Sequence, residues 1–157
     1  MSIFPTKILL ATDGSREAKL AANTAIDLAN STNSELHILY VGEAANPYVQ
    51  AVDLAGDEQL SPRQDAELKR EFEQQARERL EAEAEMVRAA GGTVAHMHLR
   101  MGKADHEVIA LAEDMGAGLI VMGSRGRGGL ARALMGSVSD SVVRHAHCPV
   151  MVVRPEK

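Results

Sequence analysis

The sequence predicts an α/β fold, a parallel sheet with helices on both faces. Two observations carry this. Strand-sized apolar runs alternate with helical periodicities in the order β-α-β-α-β-α-β-α-β. One run, Leu119-Ile120-Val121-Met122, is apolar at every position, as a strand buried on both faces must be. The 157 residues fit one domain over 1–157, and the absence of Trp leaves Ala, Val, Ile, Leu and Met to build its core.

Ile8 to Ala11 reads as the first strand, ending at the turn Thr12-Asp13-Gly14-Ser15. Ala18, Ala21, Ala22, Ala25, Leu28 and Ala29 then recur at helical spacing, with Ser15 as cap and Glu17 at the helix's positive end. Leu36 to Val41 is the second strand. Residues 42 to 60 lack periodicity and read as a long loop, a class often functional or mobile. Ser61-Pro62 opens a long helix with Leu68, Phe72, Ala76, Leu80, Ala84 and Val87 as its buried stripe and Glu and Arg on a solvated face. Gly91-Gly92 closes it. In the strand from Thr93 to Arg100, Ala95, Met97 and Leu99 oppose His96, His98 and Arg100, and one polar face suggests a sheet edge. A helix over Asp105 to Met115 stops at Gly116, and the buried strand 119–122 follows. A short helix over Ser137 to Ala146 and a last strand, Val150 to Val153, complete the chain.

A net charge of -5 opposes binding to a nucleic-acid backbone. Cys148 is the sole cysteine, so no intrachain disulfide forms. The start, Met1 to Lys7, carries no signal pattern, and no apolar run is long enough for membrane insertion. These features give the expectation of a cytoplasmic protein.

The chemistry concentrates in GSRGRGGLARALMGSVS, Gly123 to Ser139. Gly123 follows the buried strand, and Gly136-Ser137 opens a helix. Glycines let backbone N–H groups approach a ligand, and a helix start offers free donors and a partial positive charge. Together they suit phosphate. Ser137 and Ser139 add hydroxyls, and Arg125, Arg127 and Arg132 add charge. The competing reading is a surface loop rich in Gly and Arg. No Lys follows a suitable Gly as the Walker A loop requires. Gly126-x-Gly128-x-x-Ala131 meets the dinucleotide fingerprint loosely but lacks the acidic residue at the next strand end.

Gly123-x-x-Gly126, nine residues, then Gly136-Ser137 resembles the ATP-binding motif of the universal stress protein family. Lys7 to Ser15 is similar to that family's first strand and turn, and His147 to Val153 to its last strand. The resemblance spans essentially the whole chain. It implies a three-layer αβα domain, Rossmann-like and adenine nucleotide alpha hydrolase-like, with a five-stranded parallel sheet in the order 3-2-1-4-5. It further implies the nucleotide-binding subgroup. By matching position, Ala11, Thr12 and Asp13 line the adenosine part and Val41 offers backbone groups to adenine. Met122, Gly123, Arg125 and Gly126 flank ribose and phosphates, and Gly136, Ser137, Val138 and Ser139 hold the phosphates. Position 11 is often Pro in relatives and is Ala here, and position 125 varies. Read from its residue type alone, Asp13 is equally a turn or cap residue and Val41 plain sheet core.

The leading expectation is an ATP-binding stress or regulatory protein acting by occupancy rather than fast turnover, since no general base stands out. ATP, or AMP or ADP, is the expected cofactor, with Mg²⁺ accompanying a triphosphate. Alternatives are a nucleotide-independent dimeric interaction module, a cAMP binder, a slow ATP hydrolase and an enzyme acting on an adenylated or phosphorylated small molecule. Val150 to Val153, if an edge strand, needs cover. A homodimer through it is expected, as the resemblance also implies, beside an unidentified regulatory protein partner. His96 and His98 share a strand face but have no third ligand nearby in sequence, and read as a solvated edge. His145, His147 and Cys148 read as a helix end and a buried thiol. No metal site or catalytic residue is assigned.

Overall fold

The first strand, β1 (Lys7–Thr12), is buried on both sides at Ile8, Leu9 and Leu10, which places it in the middle of a sheet. The computed structural model describes residues 2–42, 61–125 and 135–156. The remaining elements are α1 (Arg16–Thr32), β2 (Glu35–Gly42), α2 (Pro62–Ala89), β3 (Val94–Met101), α3 (Ala104–Met115), β4 (Leu119–Gly123), α4 (Ser137–His145) and β5 (Val150–Val153). The five strands are parallel, in the order β3-β2-β1-β4-β5. This is the order implied above.

Alternation along the strands divides the core into two layers. Ile8, Leu10, Leu36, Ile38 and Val121 pack against Ala21, Ala25 and Ile26 of α1 and Leu80, Ala84 and Val87 of α2. Leu9, Leu39, Ile120 and Met122 pack on the other face against Val108, Leu111 and Ala112 of α3 and Val142 of α4. α1 and α2 therefore cover one face, and α3 and α4 the other. Aliphatic side chains suffice because each helix sends small or branched residues into the sheet, so the layers close without aromatic bulk.

The helix signals act as expected. Ser15 Oγ accepts from Ala18 N at 3.2 Å and caps α1. Ser61 and Gln64 form a reciprocal capping box at the start of α2, with Pro62 in its first turn. In α2, Ala76, Leu80, Ala84 and Val87 are buried, while Leu68 and Phe72 are only half-buried. At 28 residues, α2 runs about 42 Å, against about 26 Å for an eight-residue strand. Its first turns overhang the sheet. The polar face of α2 has one exception, Glu83, which is buried.

The polar strand Thr93 to Arg100 corresponds to β3, and it does form a sheet edge. Its face is not simply solvated, because His98 is hydrogen-bonded to His37 of β2. The long loop read at 42 to 60 lies, from residue 43 onward, outside the described residues. Among the described residues no helix is long and apolar enough to cross a membrane.

Candidate functional site

Strand order reverses at β1, because β2 lies on one side of it and β4 on the other. The crossover chains leave the carboxyl ends of β1 and β4 toward opposite faces, which opens a crevice there. Ala11, Thr12 and Asp13 stand at the end of β1, Met122 and Gly123 at the end of β4, and Val41 near the end of β2. The topology thus brings the predicted residues of three strands side by side. Val41 packs with Ala11 and Met122 in the layer facing α3 and α4.

The turn after β1 is fixed from inside. Gly14 has φ of 77°, the left-handed region that suits glycine. Ser15 N donates to Asp13 Oδ1 at 2.9 Å, and Gly14 N donates to Thr12 Oγ1 at 3.3 Å. Thr12 Oγ1 in turn donates to Glu83 Oε2 at 3.1 Å, and both residues are buried. Sequence reasoning missed Glu83. A glutamate on a Glu- and Arg-rich helix carries no sign that a threonine 71 positions away will meet it.

At the end of β4 a different constraint operates. A Cβ on Gly123 would fall 2.8 Å from the backbone of Glu17, so glycine allows α1 to pass close over the strand. Arg125 lies against the same helix, 3.4 Å from Glu17 Oε1, with side chains only 14% and 18% exposed. Arg125 is thus fixed by an ion pair beside the site. Gly126, Arg127 and Arg132 lie outside the described residues.

Gly136, at φ -64° and ψ 156°, is the N-cap of α4, and among the described residues no side chain caps that helix. Its position is set by Gly136 N donating to Ser124 O at 2.6 Å. Ser139 Oγ is buried and donates to Ser124 O at 2.8 Å, with Gly136 O also within 3.0 Å. Ser139 therefore ties α4 to β4 with its hydroxyl, whereas Ser137 is exposed. What α4 offers a ligand is the first-turn N–H groups of Ser137, Val138 and Ser139, plus the Ser137 hydroxyl. An uncapped helix start of this kind attracts an anion through those donors and the helix dipole.

Elsewhere, an open groove of about 480 Å³ lies between α2 and β3, lined by Leu80, Met97, Leu99 and Met101 with Glu73, Arg77 and Glu81. Its charged lining is two glutamates against one arginine, which does not favour a phosphate. His145 Nδ1 lies 2.9 Å from Ser141 O at the end of α4, and Cys148 is half-buried. Burial pushes the Cys148 thiol up, away from the nucleophilic thiolate.

Comparison with known proteins agrees with this fold. Residues 5–154 match the family model described as the universal stress protein family. A universal stress protein of Methanocaldococcus jannaschii is 36% identical over 151 residues, covering 96% of this chain and 83% of its own length. The universal stress protein YxiE of Bacillus subtilis is 35% identical, covering 94% of this chain and 98% of itself. Among solved structures, the hypothetical protein MJ0577 superposes with a TM-score of 0.77 at 26% identity, covering 99% of each chain. Two more distant structures share the fold. A universal stress protein in complex with cAMP has a TM-score of 0.61 at 22% identity, covering 96% of this chain and 98% of its own. One from Archaeoglobus fulgidus in complex with dAMP has a TM-score of 0.56 at 18% identity, covering 98% and 100%. With a matching family model over nearly the whole sequence and relatives above one-third identity, the chain belongs to the universal stress protein family.

Proposed function

We propose that this protein binds ATP, or AMP or ADP, in the crevice between β1 and β4, and that it acts by occupancy rather than by turnover. One observation carries the reading: the uncapped N-terminus of α4 is anchored through Gly136 and Ser139 to Ser124, just past the carboxyl end of β4. Phosphates accept from the N–H groups of Ser137, Val138 and Ser139. The ribose lies toward Asp13, and adenine toward the backbone of Val41. Two fold relatives whose structures hold cAMP and dAMP support an adenine nucleotide as the class. A triphosphate brings Mg²⁺ with it.

Turnover requires a base aimed at an attacking water. Asp13 Oδ1 accepts from Ser15 N instead, which suits a turn-holding role. Half-buried Val150 to Val153 form the edge strand β5, and pairing with a second copy there would cover it. A homodimer is therefore part of the proposal, and a monomer by light scattering at micromolar concentration would remove it. The lone Cys148 fits a reducing, cytoplasmic setting.

Calorimetric titration with ATP, AMP and cAMP tests the reading on wild type, Ser137→Ala and Gly136→Asp. Aspartate is a good N-cap, so Gly136→Asp keeps α4 while placing a carboxylate where the phosphate would sit. It should weaken ATP about tenfold or more, and Ser137→Ala should weaken ATP more than cAMP. Equal ATP affinities in all three proteins would move the phosphates away from α4, and no ATP binding by wild type would point to a nucleotide-independent interaction module.

A further inference from the structure

β3 carries His96 and His98 on the face it shares with His37 of β2. His37 pairs with His96 across the ladder, and His98 lies opposite Leu39, one step further along. His37 is 4% exposed, a buried imidazole beside a sheet edge. Its Nε2 lies 3.1 Å from Glu35 Oε2, and its Nδ1 lies 3.0 Å from His98 Nε2. An ionised carboxylate only accepts, so His37 carries its proton on Nε2 and donates it to Glu35. Nδ1 is then the lone-pair nitrogen, turned toward His98. A carboxylate that fixes the tautomer of a histidine from behind is the usual outer partner of a metal-ligating imidazole.

The spacing of His37 to each of the other two rings fits the same chemistry, and the His96–His98 spacing is about 1 Å wider. Centroids lie 5.1 Å apart for His37–His96, 5.3 Å for His37–His98 and 6.2 Å for His96–His98. Three imidazoles bound through nitrogen at about 2.0–2.1 Å to a tetrahedral ion have centroids about 5 Å apart. Among the described residues no group of three or more His, Cys, Asp or Glu side chains is placed to hold a metal ion as it stands, and these histidines are no exception. The near-coplanar His37–His98 hydrogen bond, with rings inclined by 13°, occupies the line an ion would approach. Loading therefore needs a tautomer exchange that moves the His98 proton from Nε2 to Nδ1, and a turn of His96 and His98 toward His37. His96 is exposed and His98 half-exposed on an edge strand, so neither movement disturbs the core. The nearby cations are already engaged: Lys7 Nζ donates to Met115 O, and Arg100 pairs with Glu107 and Asp114.

We propose that His37, His96 and His98 form a binding site for a borderline divalent transition-metal ion such as Zn²⁺, with Glu35 orienting His37 and solvent completing the coordination. Imidazole nitrogens select ions of this class over Mg²⁺ or Ca²⁺. His37 and Val41 stand four residues apart on β2, about 13 Å along the strand. The metal site is thus separate from the nucleotide crevice and does not depend on it.

The test uses the untagged full chain, stripped with EDTA, titrated with Zn²⁺ by calorimetry and with Co²⁺ by visible absorption. One equivalent of each ion should bind, and Co²⁺ should show the intense bands of a four-coordinate site. His96→Gln and His98→Gln, both at the solvent edge, should each lower Zn²⁺ affinity at least about tenfold, and Glu35→Gln by about tenfold. Cys148→Ser and His147→Gln should change nothing. The proposal is overturned if wild type shows no saturable binding or if His96→Gln and His98→Gln bind as wild type does. It is equally overturned if Cys148→Ser abolishes binding.

Discussion

Replacing Gly123 with alanine separates two reasons for a glycine at the end of β4. A Cβ there falls 2.8 Å from the carbonyl carbon of Glu17 and 2.9 Å from its Cβ. Carbon atoms in contact stand about 3.5–4.0 Å apart, so α1 must retreat by more than about 0.5 Å. The obstacle is helix backbone, and relief comes only by moving α1, which buries Ala21, Ala25 and Ile26 in the core. Overpacking of this kind costs about 1–3 kcal/mol. Gly123 is not in the left-handed region, so alanine adds no backbone strain there and lowers the unfolded chain's entropy by about 0.4–1 kcal/mol. At the middle of both ranges the net destabilisation is about 1.3 kcal/mol, a fall in Tm of roughly 3–5 °C for a chain of this size. Urea unfolding followed by circular dichroism on nucleotide-free protein measures it without a ligand's contribution. An unchanged midpoint with lost nucleotide affinity would refute the packing reason and assign the glycine to ligand approach alone.

Three further outcomes follow from buried polar contacts. Thr12→Val leaves Glu83 buried without its hydroxyl partner and should cost about 1–3 kcal/mol, whereas Thr12→Val combined with Glu83→Leu should recover much of it. Additive losses in that double-mutant cycle would contradict the coupling. Burial raises the Asp105 pKa, but the hydrogen bond from Ser141, with the His106 backbone, Lys103 and the His106 ring nearby, holds it below the usual 3.8. Its native form therefore favours the carboxylate, which adds stability above that value that is lost as pH falls below it. Ser141→Ala, which removes a 2.7 Å hydrogen bond, should cost about 1.5–3 kcal/mol at pH 7 and markedly less near pH 2. A pH-independent difference would contradict this. Cys148, its thiol pushed up by burial, should react with iodoacetamide at pH 8 more slowly than free cysteine, and faster reaction would contradict the burial argument.

The fold was legible because each element announces itself locally. Apolar runs, the caps Ser15 and Ser61, Pro62 and the closing Gly91 are one-dimensional signals that survive in three dimensions. The helix start at Gly136-Ser137 was legible, and the topology sets the carboxyl ends of β1 and β4 side by side. Cross-element contacts were not legible. His37 reads as one polar residue in an apolar strand, and only the β2–β3 register sets it beside His96 and His98. Glu83 and Arg125 likewise gain their partners through packing, at separations of 71 and 108 residues. Ser139 looked like a ligand donor because a serine at a helix start often is one. Its burial turns the hydroxyl inward to Ser124 instead.

Denaturing the purified protein and identifying any released small molecule by mass spectrometry, beside Gly136→Asp, tests adenine-nucleotide binding at α4 most directly. ATP, ADP or AMP released from wild type and absent from the variant is the expected result. An empty wild type that also takes up no added ATP would contradict it.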